Sequence, residues 1–173
     1  RYNTALHAHA QFAAMVTRLD TYVGEVLAKL KEKGFDKNTL VIFTSDNGPH
    51  MEGGADPDFF GHNAILRGTK RQTHEGGVRV PFIAWGSMVP AGVVNDHQLA
   101  FYDLMPTFCE LAGVEDYVEK YTNPNKEVDY FDGLSFAKTL TGKEGQQAHD
   151  FLYWEFEETN QVAVRMGDWK MVS

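Results

Sequence analysis

The sequence of 173 residues lacks several features that mark whole classes of protein. It has a single cysteine, Cys109, so no disulfide can form within the chain and cysteine usage does not indicate a redox compartment. Its longest apolar run, residues 80–85, contains a proline and is far too short to span a bilayer, and no apolar signal segment opens the chain. Cations number 16 against 24 acidic residues, and the net charge of -8 argues against nucleic acid as a partner.

The composition is nevertheless that of a folded protein. Apolar residues make up 43% and aromatic residues 13% of the chain, far from the composition of disordered proteins. The length predicts one domain, or one domain with an appendage. Because the chain begins with Arg1 rather than methionine and ends at Ser173 directly after a strand-like run, we expect a piece of a longer protein.

The first third of the chain has the pattern of an α/β protein. Apolar residues recur at steps of three and four across residues 12–30, which predicts a helix that Gly34 ends. A β-branched apolar run at residues 39–44 predicts a buried strand. A helix, a short loop and a buried strand in that order are typical of an α/β fold.

The later segments predict one more strand and helix, and then a small β region. Residues 78–85 predict a strand with Pro81 near its start, and Asp103 is the predicted N-cap of a helix that ends at residue 112. A boundary is predicted near residue 114, after which the chain is loop-like as far as residue 130. Three strands are predicted beyond it, at residues 151–156, 162–166 and 169–172.

The tetrapeptide Ser45-Asp46-Asn47-Gly48 follows the first predicted strand, at the strand end where open α/β sheets bind their ligands. Asp46 and Asn47 place a carboxylate and an amide oxygen side by side, a pair that suits Ca²⁺ or Mg²⁺ better than a thiophilic metal. The simpler interpretation is a strand-ending turn, because Asp, Asn and Gly are all turn formers. These four residues alone leave both interpretations open.

A cluster of cations interrupts the otherwise acidic chain between residues 66 and 80. It comprises Arg67, Lys70, Arg71, His74 and Arg79, among Gly68, Gly76 and Gly77. Cations on a glycine-rich loop can bind an oxyanion through charge-assisted hydrogen bonds, and with a hard metal opposite they would clamp an anionic ester. The alternative is a solvated loop whose cations form weak surface ion pairs. The acidic candidates for those pairs are Glu52, Asp56, Asp58 and Glu75.

Five segments in order carry a family resemblance. They are S-D-N-G at 45–48, L-R-G-T-K at 66–70, E-G-G-V-R-V-P-F-I at 75–83, D-L-M-P-T-F-C-E-L-A-G at 103–113 and A-V-R-M-G-D-W-K at 163–170. In this order they resemble the C-terminal portion of a type I, formylglycine-dependent sulfatase of the arylsulfatase kind. The resemblance implies an α/β fold. Residues 1–113 would be part of an alkaline-phosphatase-like sheet-and-helix core, and residues 114–173 would begin a smaller C-terminal α+β domain with a small antiparallel β piece.

The same resemblance assigns roles to the candidate site. Asp46 and Asn47 would be Ca²⁺ ligands, with Mg²⁺ as the other candidate ion, and Lys70 would hold a sulfate oxygen. Related zinc phosphatases and phosphodiesterases carry Asp-His at the position of Asp46-Asn47. Because imidazole is a good zinc ligand and an amide oxygen is a poor one, the pair favours one hard ion and sulfate over two zincs and phosphate.

The chain has no site for the nucleophile of that family. There a formylglycine is made from a cysteine or serine in the pattern C/S-x-P/A-x-R, and neither Cys109 nor Ser135 fits this pattern. Cys109 is instead expected to be a small buried residue of a helix. The resemblance places the formylglycine, and the remainder of the calcium site, upstream of Arg1.

Three histidines, His50, His62 and His74, lie twelve residues apart, a spacing that matches no zinc motif. We expect them to be substrate-binding residues rather than metal ligands. His50 and His62 flank a loop that would overhang the site, and His74 directly precedes Glu75 and the glycine pair.

Other polar and aromatic residues are expected to be structural. Glu75 is predicted to form an ion pair with Arg79 that holds the glycine turn. His9, near the start of the first helix, is predicted to be solvated, and Trp169 is predicted to be a core residue beside the terminal turn.

We therefore predict a piece of a sulfatase, a sulfuric ester hydrolase that cleaves sulfate monoesters of carbohydrate or aryl alcohols. The alternatives are a phosphomonoester or phosphonate ester hydrolase of the same superfamily, and a non-catalytic pseudoenzyme or binding module without a nucleophile. The predicted partners are the sulfated substrate and the remainder of the polypeptide, with no nucleic acid and no membrane span. The resemblance implies a periplasmic or extracellular location. The chain alone is predicted to be inactive.

Overall fold

The computed structural model of the protein describes residues 4–114 and 132–173. Contacts divide the chain into two compact units, one formed by the chain up to Ser87 together with Tyr153–Ser173, the other by Met88–Leu152. The predicted loop over residues 114–130 lies almost entirely outside the described residues. The predicted division into residues 1–113 and 114–173 stays a prediction.

The first unit begins with helix α1, Thr4–Glu32, which starts well before the apolar repeat at residue 12. The added N-terminal turns are rich in alanine, the residue with the highest helix propensity. Gly34 ends the helix as predicted, in the left-handed conformation with φ +72°. None of the described helices is both long and apolar enough to cross a membrane.

The apolar face of α1 is only partly covered by the described residues. Val16, Leu19 and Val26 belong to the predicted stripe, yet these residues are 48%, 49% and 56% exposed. Apolar surface of this extent on one helix face is a surface that another element can cover.

Two short strands form the sheet nearest the candidate site. Strand β1, Val41–Thr44, pairs antiparallel with strand β2, Phe82–Trp85. β1 is shorter than the predicted residues 39–44, and the prediction that it is buried is wrong, because each of its four residues is partly exposed. In the described chain only β2 flanks it.

The second predicted strand divides into two elements. Its first residue belongs to a single helical turn, α2, Glu75–Val78, and the strand itself starts only at Phe82. Pro81 directly precedes β2, where its missing N–H removes no hydrogen bond from the ladder.

The C-terminal strands form a three-stranded sheet in the order β3-β4-β5. Their bounds are Leu152–Phe156 for β3, Gln161–Met166 for β4 and Trp169–Val172 for β5. Each lies within one residue of its predicted start and end. Gly167 in the β4–β5 turn has φ +54°. The prediction of a core tryptophan there is wrong, since Trp169 is 85% exposed.

The second unit contains helix α3, Leu104–Leu111, and the helical turn α4, Ala137–Leu140. Gly113 follows α3 in the left-handed conformation, as predicted from the sequence. Cys109 lies in α3 as a free thiol that is half-buried rather than buried.

Asp103 does not cap α3 with its side chain, contrary to the sequence prediction. Its carboxylate, 1% exposed, instead accepts hydrogen bonds from the backbone N–H groups of Ala100 and Leu134. It also contacts Nε2 of His149 at 2.8 Å. A buried carboxylate requires such partners, and here they tie the loop before α3 to the segment that follows residue 132.

Candidate functional site

The segment Ser45-Asp46-Asn47-Gly48 forms a turn directly after β1. Ser45 Oγ donates to the backbone oxygen of Asn47 at 2.9 Å, and Asn47 Nδ2 donates to the backbone oxygen of Gly48 at 2.7 Å. The amide nitrogen of Asn47 is thus used locally, while its Oδ1 has no hydrogen-bond donor among the described residues. Asp46 is exposed, and its carboxylate has no partner among the described residues. The turn therefore leaves the carboxylate of Asp46 and Oδ1 of Asn47 available to a ligand.

Glycines allow this turn to approach α2 closely. The backbone N–H of Gly48 donates to the oxygen of Gly77 at 2.9 Å. A Cβ on Gly48 would lie 1.8 Å from the oxygen of Gly76, and a Cβ on Gly76 would lie 2.1 Å from the oxygen of Gly68. These distances exclude any side chain, so three backbone segments meet here in a way that only glycine permits.

We expect the substitution Gly48→Ala to destabilise the full-length protein by about 1–3 kcal/mol or more, because its Cβ has no room beside Gly76. The matched control is Gly24→Ala on α1, where none of the described residues lies within 4 Å of the added Cβ. That change should stabilise the protein by about 0.5–1 kcal/mol. Denaturant midpoints of the two variants measure the difference, and equal midpoints would contradict the close approach.

Lys70 is tied to the same turn by its backbone. Its N–H donates to the oxygen of Pro49, two residues after Asn47, at 2.8 Å. Its ammonium group has no carboxylate partner among the described residues. The neighbouring Arg71 forms an ion pair with Glu52 at 3.0 Å, with both side chains 60% exposed. The alternative of weak surface ion pairs thus holds for Arg71. The ammonium of Lys70 is left available to bind an anionic ligand.

His74 lies on this loop at the start of α2, with its Cβ against Gly68. Burial, and after it the positive charges of Arg67 and Lys170, lowers the pKa of His74 below its ordinary value. The ring is therefore neutral at neutral pH, when it can donate one hydrogen bond and accept another. Its Nδ1 is buried without a hydrogen-bond partner among the described residues.

The other two candidate histidines contact residues outside this loop. His50 is exposed, and its Nδ1 accepts a hydrogen bond from the backbone N–H of Glu52 at 3.0 Å. His62 stacks on Phe60, with ring centroids 5.4 Å apart, and lies 4.7 Å from the ring of Phe12 on α1. The structure brings His74 to the Lys70 loop but places the ring of His62 in an aromatic cluster against α1. A substrate-binding role for the three histidines stays a prediction.

His9 belongs to the same aromatic cluster, and the prediction that it is solvated is wrong. The residue is 8% exposed, and its ring stacks on Phe59 with the centroids 3.9 Å apart. Both ring nitrogens are buried without a hydrogen-bond partner among the described residues. A flat ring on an alanine-rich helix turn packs well against phenylalanine, and this packing outweighs the polarity of the ring.

The predicted ion pair between Glu75 and Arg79 is absent from the described residues. Glu75 instead contacts Arg165 and Lys170 of the β4–β5 hairpin, each at 2.8 Å. One sequence signal could have indicated that the hairpin cations share an anionic partner, although it does not identify Glu75. Counting back from the turn at Gly167 places Arg165 and Lys170 opposite each other, and two cations in such positions need an anion between them.

The donor chemistry of Asp46 and Asn47 fits a hard divalent ion. Both offer oxygen atoms that no described residue occupies, and Ca²⁺ and Mg²⁺ are bound in proteins by such oxygens. Within residues 4–114 and 132–173, no three His, Cys, Asp or Glu side chains are grouped closely enough to hold a metal. The pair could therefore supply only part of a complete ligand set.

Comparisons with known proteins give one consistent family. Residues 2–114 match the family model described as Sulfatase. Arylsulfatase A from Homo sapiens is 38% identical over 165 residues, which cover 92% of this chain and 29% of that protein. Steryl-sulfatase from Mus musculus is 36% identical over 148 residues, which cover 84% of this chain and 22% of that protein.

Solved structures agree with the sequence comparisons. The crystal structure of the PsFucS1 sulfatase from Pseudoalteromonas sp. matches with a TM-score of 0.68 and 36% identity, covering 88% of this chain and 28% of that one. This likeness confirms the fold class that the sequence predicts. The chain spans between about a fifth and a third of the length of these relatives.

Proposed function

The chain belongs to the sulfatase family, and from this we propose that the whole protein hydrolyses sulfate monoesters and releases inorganic sulfate. One observation carries the proposal. The backbone bond from Lys70 to Pro49 joins an ammonium group without a carboxylate partner among the described residues to the turn that presents the oxygens of Asp46 and Asn47. The lysine ammonium and the metal-binding oxygens of Asp46 and Asn47 thus belong to two segments that one backbone hydrogen bond joins. A cation on one segment and a metal ion on the other would hold an anion between them.

Lys70 would bind a non-bridging oxygen of the sulfate group. Its ammonium can donate up to three hydrogen bonds, and since no described carboxylate neutralises it, the full charge would act on the substrate. Such a charge, fixed before the substrate binds, stabilises the transition state most where water is excluded. His74 and Arg67, on the same loop, would extend the polar wall beside it.

Asp46 and Asn47 would hold Ca²⁺ through their side-chain oxygens, with Mg²⁺ as the other candidate. The ion would polarise a sulfate oxygen and orient the ester. Within this chain, the bond from Asn47 Nδ2 to Gly48 fixes which atom of the amide faces outward. An oxygen in that position suits a hard ion, whereas a zinc site would favour imidazole.

We place the nucleophile, a formylglycine, in a part of the polypeptide outside residues 1–173. The support is that no C/S-x-P/A-x-R pattern occurs in these residues. The remainder of the polypeptide would then be the main partner of this chain. The partly exposed strand β1 and the apolar face of α1 would be covered by it.

The substrate would be a sulfated carbohydrate or an aryl sulfate. The name of arylsulfatase A supports the aryl class. We further propose a periplasmic or extracellular location, which the family resemblance supports.

The test uses the full-length protein and two esters of one alcohol, 4-nitrophenyl sulfate and 4-nitrophenyl phosphate. We expect release of 4-nitrophenol from the sulfate ester with the larger kcat/KM, because Asp46-Asn47 favours a hard ion and a sulfate group. A larger kcat/KM for the phosphate ester would support the phosphoesterase alternative. Release from neither ester, together with no release of inorganic sulfate from sulfated carbohydrates, by protein loaded with Ca²⁺ would favour a non-catalytic role.

A further inference from the structure

We propose that Glu75 is a positioning residue for Lys70. Its carboxylate forms ion pairs with Arg165 and Lys170 of the C-terminal hairpin. These ion pairs fix α2, the glycine turn that begins at Glu75, and the loop that carries Lys70 packs against this turn. The inference rests on the role proposed for Lys70 above. It assigns a role in the site to the β4–β5 hairpin, which is distant in sequence from the site residues.

Glu75 receives one cation on each carboxylate oxygen. Arg165 Nη1 donates to Oε2 and Lys170 Nζ donates to Oε1, both at 2.8 Å. The side chains of Arg165 and Lys170 are 21% and 12% exposed, and that of Glu75 is 22% exposed. Charges screened this little by water interact far more strongly than the exposed pair of Arg71 and Glu52.

The hairpin face is arranged to receive an anion. Arg165 and Lys170 lie directly opposite each other in the antiparallel register of β4 and β5. Like charges in opposite positions destabilise a strand pair unless an anion lies between them. Lys170 is further restrained over the ring of Trp154, with its Nζ 4.2 Å from the ring centroid. Arg165 Nε donates to the backbone oxygen of Gly167 at 3.0 Å, so each cation has a contact besides the carboxylate.

A second contact ties the same strand to the Lys70 loop. Gln161 Oε1 accepts a hydrogen bond from the backbone N–H of Thr73 at 3.1 Å. Residues 161 and 165 share a face of β4, because side chains alternate along a strand. The hairpin therefore holds residues 73 and 75 from one face.

The ion pairs of Glu75 influence the position of Lys70 through backbone packing. A Cβ on Gly77 would lie 2.5 Å from the oxygen of Thr69, the residue before Lys70. The oxygen of Gly77 accepts the N–H of Gly48, the residue before Pro49, and the oxygen of Pro49 accepts the N–H of Lys70. The turn thus contacts the segments on both sides of the Lys70 backbone bond, and a shift of the turn would displace the lysine.

The effect of removing the charge follows from this arrangement. Glu75→Gln would leave Arg165 and Lys170 facing each other without an anion, and the hairpin and turn would separate. Misplacement of a binding group by about 1 Å can lower the rate by roughly 100-fold. We therefore expect kcat/KM for 4-nitrophenyl sulfate to fall by about 10- to 100-fold in the full-length protein.

The experiment is a double-mutant cycle in the full-length protein with the variants Glu75→Gln, Lys70→Ala and the combination of both. If Glu75 acts through Lys70, its substitution should change kcat/KM less than about threefold once Lys70 is alanine. The inhibition constant of inorganic sulfate should rise in Glu75→Gln and show the same non-additivity. The matched control is Glu52→Gln, which removes an exposed ion pair beside Lys70 and should leave kcat/KM within about threefold of the wild type.

The outcomes separate the two proposals. If Lys70→Ala leaves kcat/KM unchanged, the proposed role of Lys70 is wrong. If Lys70→Ala lowers kcat/KM but Glu75→Gln acts no more than Glu52→Gln, or acts equally in both backgrounds, the positioning role alone is overturned. Should Glu75→Gln fail to fold, Lys170→Met serves in the same cycle, because it keeps the Glu75–Arg165 pair and the apolar stem over Trp154. The same non-additivity is expected of it, and additivity would overturn the positioning role.

Discussion

Replacing Lys70 with alanine in the full-length protein should lower kcat/KM for an aryl sulfate by about 100- to 1,000-fold, the loss that follows removal of one fixed donor to a developing charge. The effect should be large because the ammonium has no carboxylate partner among the described residues, so no described carboxylate neutralises its charge. The backbone bond from Lys70 to Pro49 ties the residue to the turn that carries the proposed metal ligands. Steady-state kinetics with 4-nitrophenyl sulfate measure the change.

The matched control for this change is Lys37→Ala. Lys37 is exposed and lies in the short turn Asp36–Asn38, and its ammonium also has no partner in the described part of the chain. Loss of this charge should leave kcat/KM within about twofold, since surface charges contribute little. Equal kinetics for Lys70→Ala and the wild type would show that the ammonium does not bind the substrate.

Asp46→Ala should lower both activity and calcium affinity of the full-length protein, each by at least about 100-fold, since even the groups that only orient metal ligands contribute 10- to 100-fold. The carboxylate is the only charged member of the Asp46-Asn47 pair, and its exposed position leaves it free to coordinate an ion. Calcium titration of metal-free protein, with sulfate release as a second readout, measures both quantities.

A graded series strengthens this test. Asp46→Asn keeps the shape and an oxygen ligand but removes the charge, so its activity should recover in part at raised Ca²⁺. Asp58→Ala, further along the chain, removes an exposed carboxylate without a proposed ligand role and should leave calcium affinity unchanged. Unaltered calcium affinity in Asp46→Ala would exclude the residue as a ligand.

The elements that could be predicted from the sequence are those whose signals are local. The strands β3, β4 and β5 follow from short β-branched and aromatic runs around a Gly-Asp turn, and the end of α1 follows from Gly34. The turn at Asp46-Asn47 was also predictable, because its hydrogen bonds join residues that are close in sequence. The structure shows that the turn and ligand interpretations are compatible, since the turn uses the amide nitrogen and leaves the oxygens.

What the sequence did not reveal depends on contacts between distant segments. Glu75 lies 90 residues from Arg165, so a nearby Arg79 was the natural partner to predict. His9 was predicted to be solvated because its stacking partner, Phe59, lies far along the chain. The exposure of β1 could not be predicted either, since burial depends on which elements flank a strand and not on its own residues.

The most direct test of the account is a crystal structure of the full-length protein grown with Ca²⁺ and sulfate. We expect one Ca²⁺ with side-chain oxygens of Asp46 and Asn47 at about 2.3–2.6 Å. Lys70 Nζ should lie within about 2.7–3.2 Å of an oxygen of a sulfate ion beside that Ca²⁺. Calcium bound away from Asp46 and Asn47, or a Lys70 ammonium paired with a carboxylate of the protein instead of sulfate, would contradict the account.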